Sequence, residues 1–82
     1  MLDLLSSGEK VVGVKQSSRA ISSGGASMVF IAGDADEHVL RPIIDLCKAA
    51  DVKPVRIETM QELGRACGIE VGAAVAVLLN TK

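Results

Sequence analysis

An α/β fold, with helices on both faces of a mainly parallel or mixed sheet, is what this sequence predicts. Three observations carry the prediction. Short apolar runs and segments of helical periodicity alternate along the chain. The runs Ser27 to Ala32 (SMVFIA) and Ala73 to Leu79 (AAVAVLL) are apolar almost throughout, as strands covered on both faces are. Glycines and capping residues stand at the junctions. No linker, repeat or low-complexity segment divides the 82 residues, so one domain over 1–82 is expected.

The elements follow in the order α-β-α-β-α-β-α-β. Met1 to Ser7 reads as a short helix carrying Leu2, Leu4 and Leu5, and Gly8 ends it. Lys10 to Val12 reads as a brief strand. From Val14 to about Ser23 the pattern is helical; Val14 and Ile21, seven apart, share a face that should look to the core. Ser22-Ser23-Gly24-Gly25 stops that helix, with glycine free to take a left-handed cap. Ser27 to Ala32 is the central strand, and Gly33-Asp34-Ala35-Asp36 the turn after it, where either Asp can cap the next helix. Leu40, Ile43, Ile44 and Cys47 recur at helical spacing up to about Ala50, and Pro42 is expected to separate or bend the first turn. Pro54 to Ile57 is the third strand, with Val55 and Ile57 inward. Thr59 and Glu62 form a Thr-x-x-Glu capping box for a helix to Cys67, ended by Gly68. Ala73 to Leu79 closes the series.

Composition narrows the functions. Net charge is -1, so any basic surface must be local. Phe30 is the only aromatic residue, which argues against binding on aromatic stacking platforms. Cys47 and Cys67 fall among apolar positions and read as buried free thiols; one His and two scattered Cys do not make a zinc site. No signal peptide or membrane span is visible, and a cytoplasmic, soluble protein is expected. There is no nucleophile–base pair and no phosphate loop, so no enzyme, cofactor, metal or small-molecule substrate is expected. Asp34 with Asp36 invites a carboxylate pair, but helix capping explains them more simply.

Two constellations remain. Gly13-Val14-Lys15-Gln16-Ser17-Ser18-Arg19 places Lys15, Gln16 and Arg19 on one side of a helix start. Arg and Lys donate to phosphate or to guanine O6 and N7, and Gln both donates and accepts at a base edge. Most such clusters are solvated helix faces; what counts against that here is a lysine in the first turn, a poor place for a cation unless an anion binds. Gly13 has no Cβ, so another backbone can come close. The second constellation is Gly68-Ile69-Glu70-Val71-Gly72. Apolar residues between glycines are unusual in a loop. They either tuck into the core or form a lid on something flat, such as an unstacked base. Strand and helix ends can gather both segments at one rim, and Asp36 and Leu40 can reach it.

Three segments together resemble the kink-turn RNA-binding ribosomal-protein family, the L-seven-Ae and L-thirty-e relatives. Gly13 to Arg19 resembles its Gly-x-Asn/Lys-Glu/Gln-x-x-Lys/Arg signature. Leu63 to Val71 (LGRACGIEV) resembles its Leu-Gly-x-Ala-x-Gly-Ile/Val stretch, and Ile31 to Asp36 (IAGDAD) its Ile-Ala-x-Asp-x-Asp/Glu turn. The resemblance implies a three-layer α-β-α sandwich with a four-stranded mixed sheet. It implies RNA as partner, with tandem sheared G·A pairs and extruded bulge nucleotides as the target. On that basis Gly13, Val14, Lys15, Gln16 and Arg19 would lie in the widened groove. Ile69, Glu70 and Val71 would cover the bulge, and Asp36 and Leu40 would sit beside the flipped base. The setting would be the ribosome or a structured regulatory RNA, and the protein a monomer. Lys15-Gln16 stands where many archaeal and eukaryotic members carry Asn-Glu, which resembles the short bacterial branch. Met60 stands where a lysine often follows the third strand. The competing expectation is a protein-interaction or substrate-orienting module on the same fold, without its own RNA site.

Overall fold

Seven elements occupy residues 9–79, which are those the computed structural model describes. They are β1 (Lys10–Val12), α1 (Val14–Ser22), β2 (Ala26–Ala32), α2 (Glu37–Ala49), β3 (Pro54–Ile57), α3 (Met60–Ala66) and β4 (Val75–Leu79). The helix expected over Met1 to Ser7 lies outside the described residues.

The four strands form one mixed sheet in the order β1-β4-β2-β3. β4 runs antiparallel to both β1 and β2, with Val11 opposite Val77 and Phe30 opposite Ala76. β2 and β3 are parallel, Ile31 opposite Arg56, joined by α2 as a crossover. Because strand side chains alternate, each face gets its own core. Phe30, Ala32, Ile57 and Ala76 pack with Leu63 and Cys67 of α3. Val29, Ile31, Val75 and Val77 pack with Ile21 of α1 and with Leu40, Ile43 and Cys47 of α2. The result is an α/β sandwich with a helical layer on each side. β2, buried from Val29 to Ala32, runs through its centre as expected. Val55 and Ile57 face the α3 side, as their alternation required.

Both cysteines are free and buried. Burial pushes both thiols above their ordinary range, and for Cys67 the Lys10 ammonium works the other way.

Three expectations need correction. Val14 does not face the core: it is 36% exposed, whereas Ile21 is 1% exposed. Val14 is the first helical residue, and helical side chains lean toward the N-terminus. It therefore overhangs the end of the sheet, and Ser17, fully buried, takes the place beneath the helix. Nor does Pro42 set off a separate first turn; α2 is one helix with Pro42 inside it. The missing N–H would have bonded the carbonyl of His38 in the first turn, and both residues are exposed, so water can serve that carbonyl. The fourth strand also starts at Val75 rather than Ala73.

Two substitutions test this account. The Ser17 hydroxyl finds no hydrogen-bond partner among the described residues. An unpaired buried hydroxyl costs about 1–3 kcal/mol, so Ser17→Ala should stabilise the fold by about 1 kcal/mol, read as a higher urea midpoint. A lower midpoint would mean that the hydroxyl is bonded after all. Asp51 follows α2 with φ 60, the left-handed position that closes the helix through Asp51 N–H to Lys48 O and Val52 N–H to Cys47 O. Glycine adopts that backbone without a Cβ penalty and removes a carboxylate from the negative helix end. Asp51→Gly should therefore stabilise by about 1 kcal/mol, raising Tm by roughly 4–8 °C.

Candidate nucleic-acid interface

The strand order brings four junctions to one rim of the sheet. Gly13 N–H donates to Val75 O at 3.0 Å, so the start of α1 stands beside the start of β4. Ala32 N–H donates to Ala74 O at 2.9 Å, which adds the end of β2. Gly33 N–H donates to Ile57 O at 2.6 Å, which adds the end of β3. Ala73 N–H donates to Met60 O at 3.0 Å, tying the 68–73 loop to the start of α3. Met60 N–H in turn donates to Asp34 Oδ1 at 2.8 Å, so the turn after β2 grips the helix after β3.

On this rim α1 presents an uncapped N-terminus. Gly13 is its N-cap at φ 101, ψ 157, a backbone that side-chain-bearing residues rarely adopt. No side chain caps the helix, and its first turn has no acidic residue. A Cβ on Gly13 would meet nothing within 4 Å, so the approach is open. The free N–H groups and the helix dipole make this end attractive to an anion. Lys15, Gln16 and Arg19 are all exposed beside it, and no described carboxylate forms an ion pair with Lys15 or Arg19. Their cationic groups remain available to an external ligand.

The 68–72 loop lies across the other side of the same rim. Gly68, at φ +82, ends α3: Gly68 N–H bonds Arg65 O, and Ile69 N–H bonds Gly64 O. The chain then folds back over the helix so closely that a Cβ on Gly64 would overlap the Val71 carbonyl oxygen. Gly72 comes close to Met60 without such overlap; the Met60 Cβ would be 3.1 Å from an added side chain. Ile69 does not tuck into the core; it is 37% exposed, Val71 is 70% exposed, and Glu70 is exposed between them. With Val14 they are the large exposed hydrophobic residues of the described chain.

Asp36 and Leu40 hold different positions. Asp36 is exposed on the turn, and its carboxylate accepts from His38 N–H at 2.9 Å as the N-cap of α2. Leu40 is 5% exposed and packs in the core; its edge lines an open cleft between α2 and β3. The backbone ties thus bring Gly13 at the start of α1, the turn that carries Asp36 and the end of the 68–73 loop to one end of the sheet, while Leu40 lies in the core. Met60 is half-buried against the α3-side core.

Sequence reasoning missed the supports of this rim. Asp34 reads as a cap for the next helix, yet it serves the start of a helix 26 residues away. Gly64 stands in the sequence only as part of the Leu63 to Val71 stretch, and its role is visible only once Val71 lies over it. Among the described residues no three His, Cys, Asp or Glu side chains group as a metal site would require, and no helix is long and apolar enough to cross a membrane.

Residues 2–82 match the family model described as the ribosomal protein L7Ae/L30e/S12e/Gadd45 family. The chain is 48% identical over 68 residues, 83% of each chain, to an RNA-binding protein of Caldanaerobacter subterraneus subsp. tengcongensis. It is 35% identical over 68 residues to the large ribosomal subunit protein eL8 of Halobacterium salinarum, covering 82% of this chain and 57% of that protein. Among solved structures it superimposes on a 15.5kD RNA binding protein of Giardia lamblia with a TM-score of 0.90 at 28% identity, covering 99% of this chain and 72% of the other.

Proposed function

Because the chain belongs to the ribosomal protein L7Ae/L30e/S12e/Gadd45 family, we propose that it acts as an RNA-binding protein, not an enzyme, and that its target is the kink-turn. The observation that supports this reading best is the shared rim: an uncapped helix end with Lys15, Gln16 and Arg19 on one side, and the exposed apolar tip of Ile69 and Val71 on the other. A sharply bent RNA offers both kinds of partner at short range. Its bend crowds phosphates and opens a groove on sheared G·A edges, while its bulge extrudes bases with flat apolar faces.

In this reading Arg19 and Gln16 take base edges, and Lys15 and the α1 N-terminus take phosphate. Ile69 and Val71 close over the extruded nucleotides, Glu70 stands between them, and Asp36 and Leu40 flank the flipped base. The free bulge is flexible, so a protein that binds only the bent form shifts the population by its differential affinity. Few phosphates are engaged, so affinity should fall only modestly with salt. The protein works as a monomeric single domain in the cytoplasm, in the setting of the ribosome or of structured regulatory RNA.

The test is a gel shift on a short kink-turn duplex beside a duplex whose G·A pairs are replaced by Watson–Crick pairs. Binding to the first and at least tenfold weaker binding to the second is the expected result. Equal binding, or none, would favour a protein-interaction module on the same fold.

A further inference from the structure

We infer that Asp34 is a positioning residue for RNA binding: by holding the first turn of α3 to the turn after β2, it sets where the 68–73 loop meets the RNA. This inference rests on the kink-turn reading above and adds a residue that acts through the loop rather than on the RNA. The loop rides on α3. Ile69 N–H donates to Gly64 O at 3.1 Å, and Ala73 N–H donates to Met60 O at 3.0 Å. Val71 lies over Gly64, and Gly72 passes Met60. Residues 68–72 are all exposed, so little apolar burial fixes them. The sheet takes hold after the loop, where Ala32 N–H donates to Ala74 O at 2.9 Å. A shift of α3 therefore carries Ile69 and Val71 with it.

α3 needs an outside hold. It is 7 residues long, about two turns, and so short a helix has little stability of its own. Leu63 and Cys67 anchor its buried side in the core, but its first turn lies beyond the end of β3. Two side chains cap that turn. Thr59 accepts from Glu62 N–H at 3.1 Å, and Asp34 accepts from Met60 N–H at 2.8 Å. Thr59 moves with the helix, whereas Asp34 belongs to a turn that is fixed separately. Gly33 N–H holds that turn to Ile57 O at 2.6 Å, and the Asp36 carboxylate holds it to the start of α2. A carboxylate facing a free N–H at a helix start also has the helix dipole in its favour. Met60 is thus bonded on both sides, its N–H to the turn and its C=O to the loop. Asp34, Met60 and Ala73 form one relay from the α2 cap to the loop. A cap that served α3 alone could come from its own N-terminal residues. One drawn from 26 residues away fixes one junction against another.

Asp34 is exposed, so its replacement should leave the core intact. Asp34→Ala removes the acceptor, and Asp34→Asn keeps an oxygen that can accept the same N–H. Binding to the kink-turn duplex and to its G·A-replaced control is measured well below the melting temperature of each variant. Asp34→Ala should weaken kink-turn binding about tenfold, and Asp34→Asn should recover most of that loss. Coupling separates positioning from general damage. Ile69→Ala should cost little further affinity in the Asp34→Ala background, whereas the losses from Asp34→Ala and Arg19→Ala should multiply. Without RNA, hydrogen exchange at the Ala73 amide should quicken in Asp34→Ala, while that of Gly13, bonded to Val75 O, stays as in the wild type. Given a wild type that distinguishes the two duplexes, the positioning role is overturned and the kink-turn reading stands if Asp34→Ala binds like the wild type or Asp34→Asn binds no better than Asp34→Ala. The role also falls if the Asp34→Ala and Ile69→Ala losses multiply, if Asp34→Ala is coupled to Arg19→Ala as strongly as to Ile69→Ala, or if exchange at Ala73 is unchanged. A wild type that fails to distinguish the two duplexes overturns both.

Discussion

Gly64→Ala should cost this protein stability and RNA binding together. The added methyl overlaps the Val71 carbonyl oxygen and comes within 3.1 Å of the Val71 carbonyl carbon and 3.2 Å of Gly72 Cα. These are backbone atoms, so no side-chain rotation relieves the overlap; the loop must lift from α3. Overpacking of this kind costs about 1–3 kcal/mol, and each kcal/mol lowers Tm by roughly 4–8 °C in a domain of this size. Lifting the loop also moves Ile69 and Val71 away from the rim. Binding measured well below the lowered Tm should still be weaker than wild type, because the defect lies in placement as well as stability. Gly68→Ala is the control. Its Cβ would meet nothing within 4 Å, but φ +82 remains strained for alanine. It should lose about 1 kcal/mol of stability with a smaller effect on binding. If Gly64→Ala melts and binds like the wild type, the loop does not rest on α3 as described.

Arg19→Ala should give the reverse pattern, a large loss of binding with an almost unchanged Tm. The side chain is exposed and has no ion pair among the described residues, so folding loses little. A lost base-edge contact should cost about 1–3 kcal/mol of affinity. Ile69→Asp should behave alike through the other half of the rim. At 37% exposure it has little burial to lose, yet it places a carboxylate where an extruded base would pack. Isothermal titration beside thermal melts separates the two effects. Unchanged affinity in Arg19→Ala would remove Lys15, Gln16 and Arg19 from the interface. Outright unfolding of Ile69→Asp would assign that residue to the core.

What the sequence determined by itself was local. The two apolar runs predicted strands covered on both faces, and Phe30 and Val29 do part to opposite cores. Thr59 does cap α3, accepting from Glu62 N–H at 3.1 Å, and Gly24 and Gly68 take positive φ after their helices. Such features depend on neighbours within a turn of chain, and residue types encode them directly. The kinship of the chain was legible for the same reason, because its signature segments are short and contiguous.

Tertiary structure decided what depends on strand order. Insertion of β4 between β1 and β2 sets Gly13 beside Val75 and Ala32 beside Ala74, and no periodicity announces that order. It determines that α1 starts where the sheet ends, which leaves Val14 overhanging and buries Ser17. It makes β3 an edge strand, which leaves open the cleft beside α2. It also carries Asp34 to Met60 and Val71 to Gly64, two contacts on which the rim's shape rests. Hydrophobic pattern specifies a side chain's face; only the packed sheet specifies which distant segment that face will meet.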